Sequence, residues 1–137
     1  MQARSGRNLP VSAVDFLPEH CSGANFGNMS LRSGDGFYIT RNGSYPDIPG
    51  EPVYVLLEGP VPEQALSEYR VHRQIYKMTS YGAVVHAHPP HAVALSFSNT
   101  AIIPVYTEGV MFCPFLPVVE GKPGSEELAV NIARGLL

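Results

Sequence analysis

The sequence predicts an α/β fold built around an antiparallel sheet, and three observations predict it. The first half alternates short apolar and polar runs with Gly, Asn and Asp turns, the pattern of hairpins. Two later stretches, residues 67–77 and 125–136, change to a helical period. Between them, residues 83–88 form a β-branched strand that Pro89-Pro90 brings to a stop.

Taken in order, residues 1–20 carry no clear element, because Pro10 and Pro18 limit any helix between them to a turn or two. Residues 27–32 alternate into a strand, Ser33-Gly34-Asp35-Gly36 is a turn, and residues 37–40 complete a hairpin. Asn42-Gly43-Ser44 is a second turn, residues 47–52 a loop, and residues 53–57 a further strand closed by Glu58-Gly59-Pro60. In residues 67–77, Glu68, His72, Ile75 and Tyr76 recur at i, i+4, i+7 and i+8, with Ser67 placed at the amino end. Glu68 there suits the helix dipole as well as any chemistry. Residues 92–97 read as a short apolar helix, and residues 102–106 and 115–119 as short strands separated by Glu108-Gly109. Ser125 caps an amphipathic helix with Glu126 and Glu127 in its first turn and Leu128, Ile132 and Leu136 on its buried face. Gly135 disrupts the last turn and no strand follows, so the sequence reads as a fold cut short at its carboxyl end.

The 137 residues suit one domain, residues 1–137, with residues 1–20 atypical. A net charge of −3 leaves no electrostatic footprint for nucleic acid. No apolar run reaches the roughly 18 residues that span a bilayer, and the amino end lacks the apolar core of a signal peptide. Cys21 and Cys113 are isolated and fit no metal or redox spacing, which favours a reduced cytoplasm.

The stretch that carries chemistry is Val84-Val85-His86-Ala87-His88-Pro89-Pro90. Alternation puts Val84, His86 and His88 on one face, with Ala83, Val85 and Ala87 on the other, small and apolar as a buried strand requires. Residues two apart have Cα atoms roughly 6.5–7 Å apart, a separation that lets two imidazoles converge on one metal ion, although a histidine on a half-buried strand is more often a satisfied core or surface residue. Burying both rings without a partner is unfavourable, and a cation in a cleft resolves this. They lie at the carboxyl end of a strand, where open α/β sheets bind ligands. His72, one turn beyond Glu68, reads as a packing or hydrogen-bonding residue rather than a ligand.

In order and spacing, Gly27-Asn28-Met29-Ser30-Leu31-Arg32, Ile39-Thr40 with Asn42-Gly43, Ser67-Glu68 and His86-Ala87-His88-Pro89-Pro90 resemble the class II aldolase/adducin family. The likeness covers roughly residues 22–136. It implies a three-layer α/β/α sandwich around a mainly antiparallel sheet, incomplete here at the carboxyl end. It also implies a homotetramer with a zinc site near a subunit boundary. Residue by residue, His86 and His88 match two of the family's zinc histidines, and Glu68 its acid/base, which also ligates the resting metal. Asn25, Asn28, Asn42, Gly43 and Ser67 match stretches that hold a substrate phosphate. The third zinc histidine of the family has no counterpart, Leu66 stands where a phosphate-binding serine is usual, and Asn42 where serine or threonine is usual.

The implied activity is retro-aldol cleavage of a small phosphorylated ketose through an enediolate, whose charge Zn²⁺ or another divalent ion stabilises as a Lewis acid. Neutral imidazoles hold such an ion and leave it electrophilic. Epimerases and dehydratases of the family share these residues. The adducin branch keeps the fold for assembly without catalysis, the alternative that a missing third ligand favours. The geometric expectation is that His86 and His88 point to one side, with Glu68 facing them.

Overall fold

The first hairpin fixes the frame of the molecule, whose computed structural model describes residues 27–41 and 50–137. Strand β1 (Asn28–Ser33) pairs antiparallel with β2 (Gly36–Ile39), Ser30 opposite Ile39 and Ser33 opposite Gly36. The turn needs both its glycines. Gly34 has φ +58°, a conformation that L side chains rarely adopt. A Cβ on Gly36 would lie 2.8 Å from the Tyr54 ring and run into the Val55 carbonyl.

Strand β3 (Val53–Leu56) joins the free side of β2, and β4 (Ala83–His86) joins the free side of β1. The result is a four-stranded antiparallel sheet in the order β3-β2-β1-β4. Helix α1 (Tyr69–Met78) covers one face. Directly opposed residues share a face, so Ser30, Arg32, Phe37, Ile39, Val55 and Val84 all look toward it. Phe37, Ile39 and Val55 are fully buried with Tyr76, whose ring lies 5.1 Å from that of Phe37. Each of these side chains stabilises the fold by about 1.5–3 kcal/mol.

Helix α2 (Pro90–Ser96) follows the sheet, with Pro90 in the first helical turn, where a missing N–H costs nothing. A second, two-stranded sheet pairs β5 (Ala101–Ile102) with β6 (Leu116–Pro117) around α3 (Thr107–Phe112), and α4 (Glu126–Gly135) closes the order. Ser125 caps α4 as expected, its Oγ accepting from the Leu128 N–H at 3.1 Å. The mixed α/β architecture and its antiparallel sheet agree with the expectation from sequence. Among the described residues no helix is long and apolar enough to cross a membrane.

Several elements differ from the sequence reading. Strand β4 stops at His86, three residues before Pro89. It is the edge of the described sheet, and Val85 on its outer face is 56% exposed rather than buried. The strand expected over residues 102–106 shrinks to Ala101–Ile102, and residues 107–112 are helical. The β-branched run there finds no second strand long enough to pair with, since β6 supplies only Leu116–Pro117. On α4 the buried residues are Ala129 and Ala133, with Leu136 43% exposed. Small residues at the contact let α4 approach α1 closely, which rotates the leucines to the flank.

One cation fastens α1 to the sheet. From β1, Arg32 donates through Nη2 to the carbonyls of Tyr76 and Thr79 (2.9 Å to the latter), and through Nε to that of Tyr81 at 3.0 Å. Its guanidinium also lies 4.8 Å from the centre of the Tyr76 ring. It thereby satisfies carbonyls at the helix end that have no partner within the helix. Arg32→Met is expected to lower stability by about 2–4 kcal/mol, from hydrogen bonds to a charged donor worth roughly 1.5–3 kcal/mol and the carbonyls left without partners. Urea unfolding at constant m-value measures it, and a change below about 0.5 kcal/mol would show the clamp to be idle.

Candidate active site

Three segments meet at the carboxyl end of β4. The first is β4 itself, which presents His86 half-buried on the α1 face. His88 follows two residues on, its ring centre 4.7 Å from that of His86 and tilted by 40°. The paired rings expected from the alternation are therefore present, although His88 lies past the end of the strand. The second segment is the start of α1. Glu68 is its N-cap residue, with φ −69° and ψ −5°, and its carboxylate makes no capping hydrogen bond. That corrects the expectation that Ser67 caps the helix; Ser67 is exposed one residue earlier. The third segment is the start of β1, where Asn28 lies directly opposite His86.

These side chains are electrostatically coupled. Burial is the main cause that depresses the His86 pKa, followed by the His88 ring, while the negative charge of Glu68 acts the other way. Glu68 therefore lies within electrostatic reach of His86. His72 does not join the pair. It is 1% exposed and turns into the interior. Desolvation, with the nearby His86 as a second cause, lowers its pKa from 6.5 to about 4.

Beneath the pair runs a buried row of polar groups that the sequence reading does not identify. Asn28 Nδ2 lies 3.0 Å from His86 Nδ1, and Asn28 Oδ1 is bonded to His72 Nε2. His72 Nδ1 is 2.6 Å from Ser30 Oγ, which is 2.7 Å from the Tyr76 hydroxyl. Asn28, Ser30, His72 and Tyr76 are each at most 6% exposed. The local signal is present in the sequence: Asn28 and Ser30 are two apart on a strand, and His72 and Tyr76 four apart on a helix, so each pair shares a face. What the sequence lacks is the register that sets those faces against one another.

Of the residues expected to hold a phosphate, Asn25, Asn42 and Gly43 lie outside the described residues. Both ends of the Asn28 amide are engaged by histidines. Among the described residues, no group of three His, Cys, Asp or Glu side chains is arranged to hold a metal ion. His91, on α2, is exposed. Cys113 is a free, exposed thiol, and Cys21 lies outside the described residues.

The antiparallel α/β sheet and its flanking helices form an aldolase-like fold. The Class II Aldolase and Adducin N-terminal domain family matches residues 16–137, and the chain belongs to that family. The L-fuculose-1-phosphate aldolase of Thermus thermophilus superposes with a TM-score of 0.85 at 38% identity, over 90% of this chain and 66% of that one. YgbL of Escherichia coli, a putative aldolase/epimerase/decarboxylase, superposes with a TM-score of 0.75 at 25% identity, over 89% of this chain and 65% of that one. By sequence, the chain is 39% identical over 75 residues to the 5-methylthioribulose-1-phosphate/5-deoxyribulose-1-phosphate aldolase of Rhodospirillum rubrum, covering 51% of this chain and 34% of the relative. It is 27% identical over 140 residues to a probable bifunctional methylthioribose-1-phosphate isomerase/methylthioribulose-1-phosphate dehydratase of Nocardia farcinica, covering 96% of this chain and 24% of the relative. The chain thus spans a quarter to a third of the length of these curated relatives.

The depressed pKa of His72 ties stability to pH with a definite sign. A histidine that titrates lower folded than unfolded contributes stability that is complete above the unfolded pKa of 6.5 and lost as pH falls toward about 4, because the unfolded chain takes up the proton first. The loss is worth about 3 kcal/mol. Urea midpoints are expected to fall steadily from pH 7 to pH 4, and His72→Gln to flatten that slope. Parallel slopes in the two proteins would show that His72 is not the group responsible.

Proposed function

We propose that this chain carries the ligand-pair and proton-transfer part of a metal-dependent aldolase, one that cleaves a carbon–carbon bond in a ketose 1-phosphate. The observation that carries the reading is the pair of rings, His86 and His88, with centres 4.7 Å apart and the charge of Glu68 acting on His86. Glu68 belongs to α1 and His86 to β4, so this proximity is a property of the fold.

Two of the donors that a divalent ion takes stand side by side, and among the described residues no third completes the set. Burial and the neighbouring ring favour a neutral His86, and a neutral imidazole offers a lone pair. His86 and His88 would hold the ion, with Glu68 within electrostatic reach of His86. When bound, the ion, zinc by the family likeness, supplies Lewis-acid stabilisation of the negative charge that develops on the ketose oxygens. The rest is done by side chains. Glu68, uncommitted to capping α1, removes or returns the proton through a carboxylate oxygen. Ser67, with Asn25, Asn42 and Gly43, holds the phosphate and so fixes which carbon faces Glu68. Asn28, whose amide NH₂ carries a second N–H besides the one that faces His86, joins them as a donor to that phosphate. The setting that goes with this reading is a cytoplasmic homotetramer built from this single domain.

The substrate class follows from the relatives' names. L-Fuculose 1-phosphate and 5-methylthioribulose 1-phosphate are both ketoses with phosphate on carbon 1. Cleavage between carbons 3 and 4 of such a sugar releases dihydroxyacetone phosphate and an aldehyde. Dehydration is the second reading, favoured by the Nocardia relative that covers 96% of this chain. It removes water and leaves the carbon skeleton intact, so the two are separated by product.

With full-length protein and added zinc, either sugar is expected to yield dihydroxyacetone phosphate. Glu68→Gln is expected to keep the metal and cut turnover by about 10²–10⁴-fold, whereas His86→Ala loses metal and activity together. Water loss without an aldehyde product would replace the aldolase reading with dehydratase. Full turnover in Glu68→Gln at normal metal content would remove Glu68 from the chemistry.

A further inference from the structure

The buried row beneath the ring pair reads in one direction, and its far end sets that direction. Among the described residues the Tyr76 hydroxyl has Ser30 Oγ as its hydrogen-bond partner, at 2.7 Å. Tyr76 is 2% exposed, so its proton must find an acceptor inside the protein. A serine hydroxyl carries one proton and two lone pairs. Ser30 therefore accepts from Tyr76 and gives its own proton to His72 Nδ1, 2.6 Å away. In the opposite sense, with Ser30 donating to Tyr76, the phenolic proton would be buried with nothing to receive it.

His72 passes the direction on. Burial lowers its pKa to about 4, so the ring is neutral at pH 7 and holds one N–H and one lone pair. With the lone pair of Nδ1 taken by Ser30, the proton stands on Nε2, which faces Asn28 Oδ1. An amide oxygen only accepts and an amide nitrogen only donates. Asn28 is therefore held by its oxygen, with its NH₂ group turned outward. The structure has the amide in that orientation, with Nδ2 3.0 Å from His86 Nδ1. Turned by 180°, the amide would set NH₂ against the His72 N–H, donor facing donor between buried groups.

We infer that Tyr76, Ser30 and His72 form a one-way lock on the Asn28 amide, which keeps an N–H donor rather than a carbonyl oxygen turned toward the substrate phosphate. The lock sets the polarity of that part of the site: an outward NH₂ attracts an anionic oxygen, and an outward amide oxygen would repel it. Tyr76, Ser30 and His72 touch no substrate; they are positioning residues. The inference rests on the reading above in which Asn28 donates to the phosphate, and it involves no metal ion.

The test titrates inorganic phosphate into the full-length protein in the presence of a chelator, with ¹⁵N NMR of the Asn28 side-chain amide and the His72 ring. In the wild type, His72 is expected to carry its proton on Nε2, and the Asn28 NH₂ signals to shift as phosphate binds. Tyr76→Phe removes the proton that sets the direction, so that Ser30 can either donate to His72 or accept from it. In that variant His72 is expected to populate both tautomers, and phosphate affinity to fall by about 2–10-fold as part of the amide population turns inward. Ser30→Ala interrupts the row and is expected to weaken phosphate by a similar factor, whereas Ser30→Thr, which keeps the hydroxyl, restores it. A merely structural role for Tyr76 would leave the His72 tautomer in place. If phosphate shifts the Asn28 signals while Tyr76→Phe keeps His72 on Nε2–H and binds phosphate as the wild type does, the lock is wrong and the phosphate reading stands. If phosphate leaves the Asn28 signals of the wild type unshifted, the phosphate reading of Asn28 fails, and the inference with it.

Discussion

The structure depends on one constraint: four polar side chains lie buried between the sheet and the helix above it, and each must find a partner there. An unpaired polar group in such a position costs roughly 1–3 kcal/mol, so Asn28, Ser30, His72 and Tyr76 are satisfied together or not at all. Meeting that condition fixes the distance and rotation of α1 over β1, since two polar groups on the helix have to meet two on the strand. Apolar packing alone is less exacting. Phe37, Ile39 and Val55 would tolerate a small slide of Tyr76 across them, whereas a hydrogen bond of 2.6 Å would break.

Around this row the rest of the fold braces α1. Arg32 holds its carboxyl end through backbone carbonyls, and α4 lies against it through Ala129 and Ala133. At the solvent edge Arg70 reaches Glu126 on α4 at 3.6 Å, a pair exposed enough to add little. Strength is therefore concentrated at the sheet and thins toward the flank. The amino end of α1, where Glu68 stands, inherits its position from contacts further along the same helix.

Much of this was legible locally. Ser33-Gly34-Asp35-Gly36 announces the hairpin, the spacing of His72, Ile75 and Tyr76 marks the buried face of α1, and His86-Ala87-His88 puts its rings side by side. Each signal depends on residues within a turn or two of one another. The failures are non-local. Residues 102–106 look like a strand because β-branched side chains favour extended backbone, but a strand also needs a neighbour, and β6 offers only two residues. The leucines of α4 look buried because its period points them one way, yet α1 selects the alanines, where the helices approach most closely. Equally non-local is the register that sets Asn28 opposite His86, which appears only once β1 and β4 are paired.

That register also explains why the candidate site lies where it does. His86 sits on the outermost strand of the described sheet, and β1 orders it from behind through Asn28. His88, past the end of β4, still lies beside His86 with ring centres 4.7 Å apart. The charge of Glu68 acts on His86 from a different element, the helix that the buried row ties to the same strand, β1. The ring pair and Glu68 thus share one support, and a displacement of β1 moves them together. Relative placement is protected while absolute placement is not, because the buried row fixes α1 to β1 rather than to anything outside the sheet.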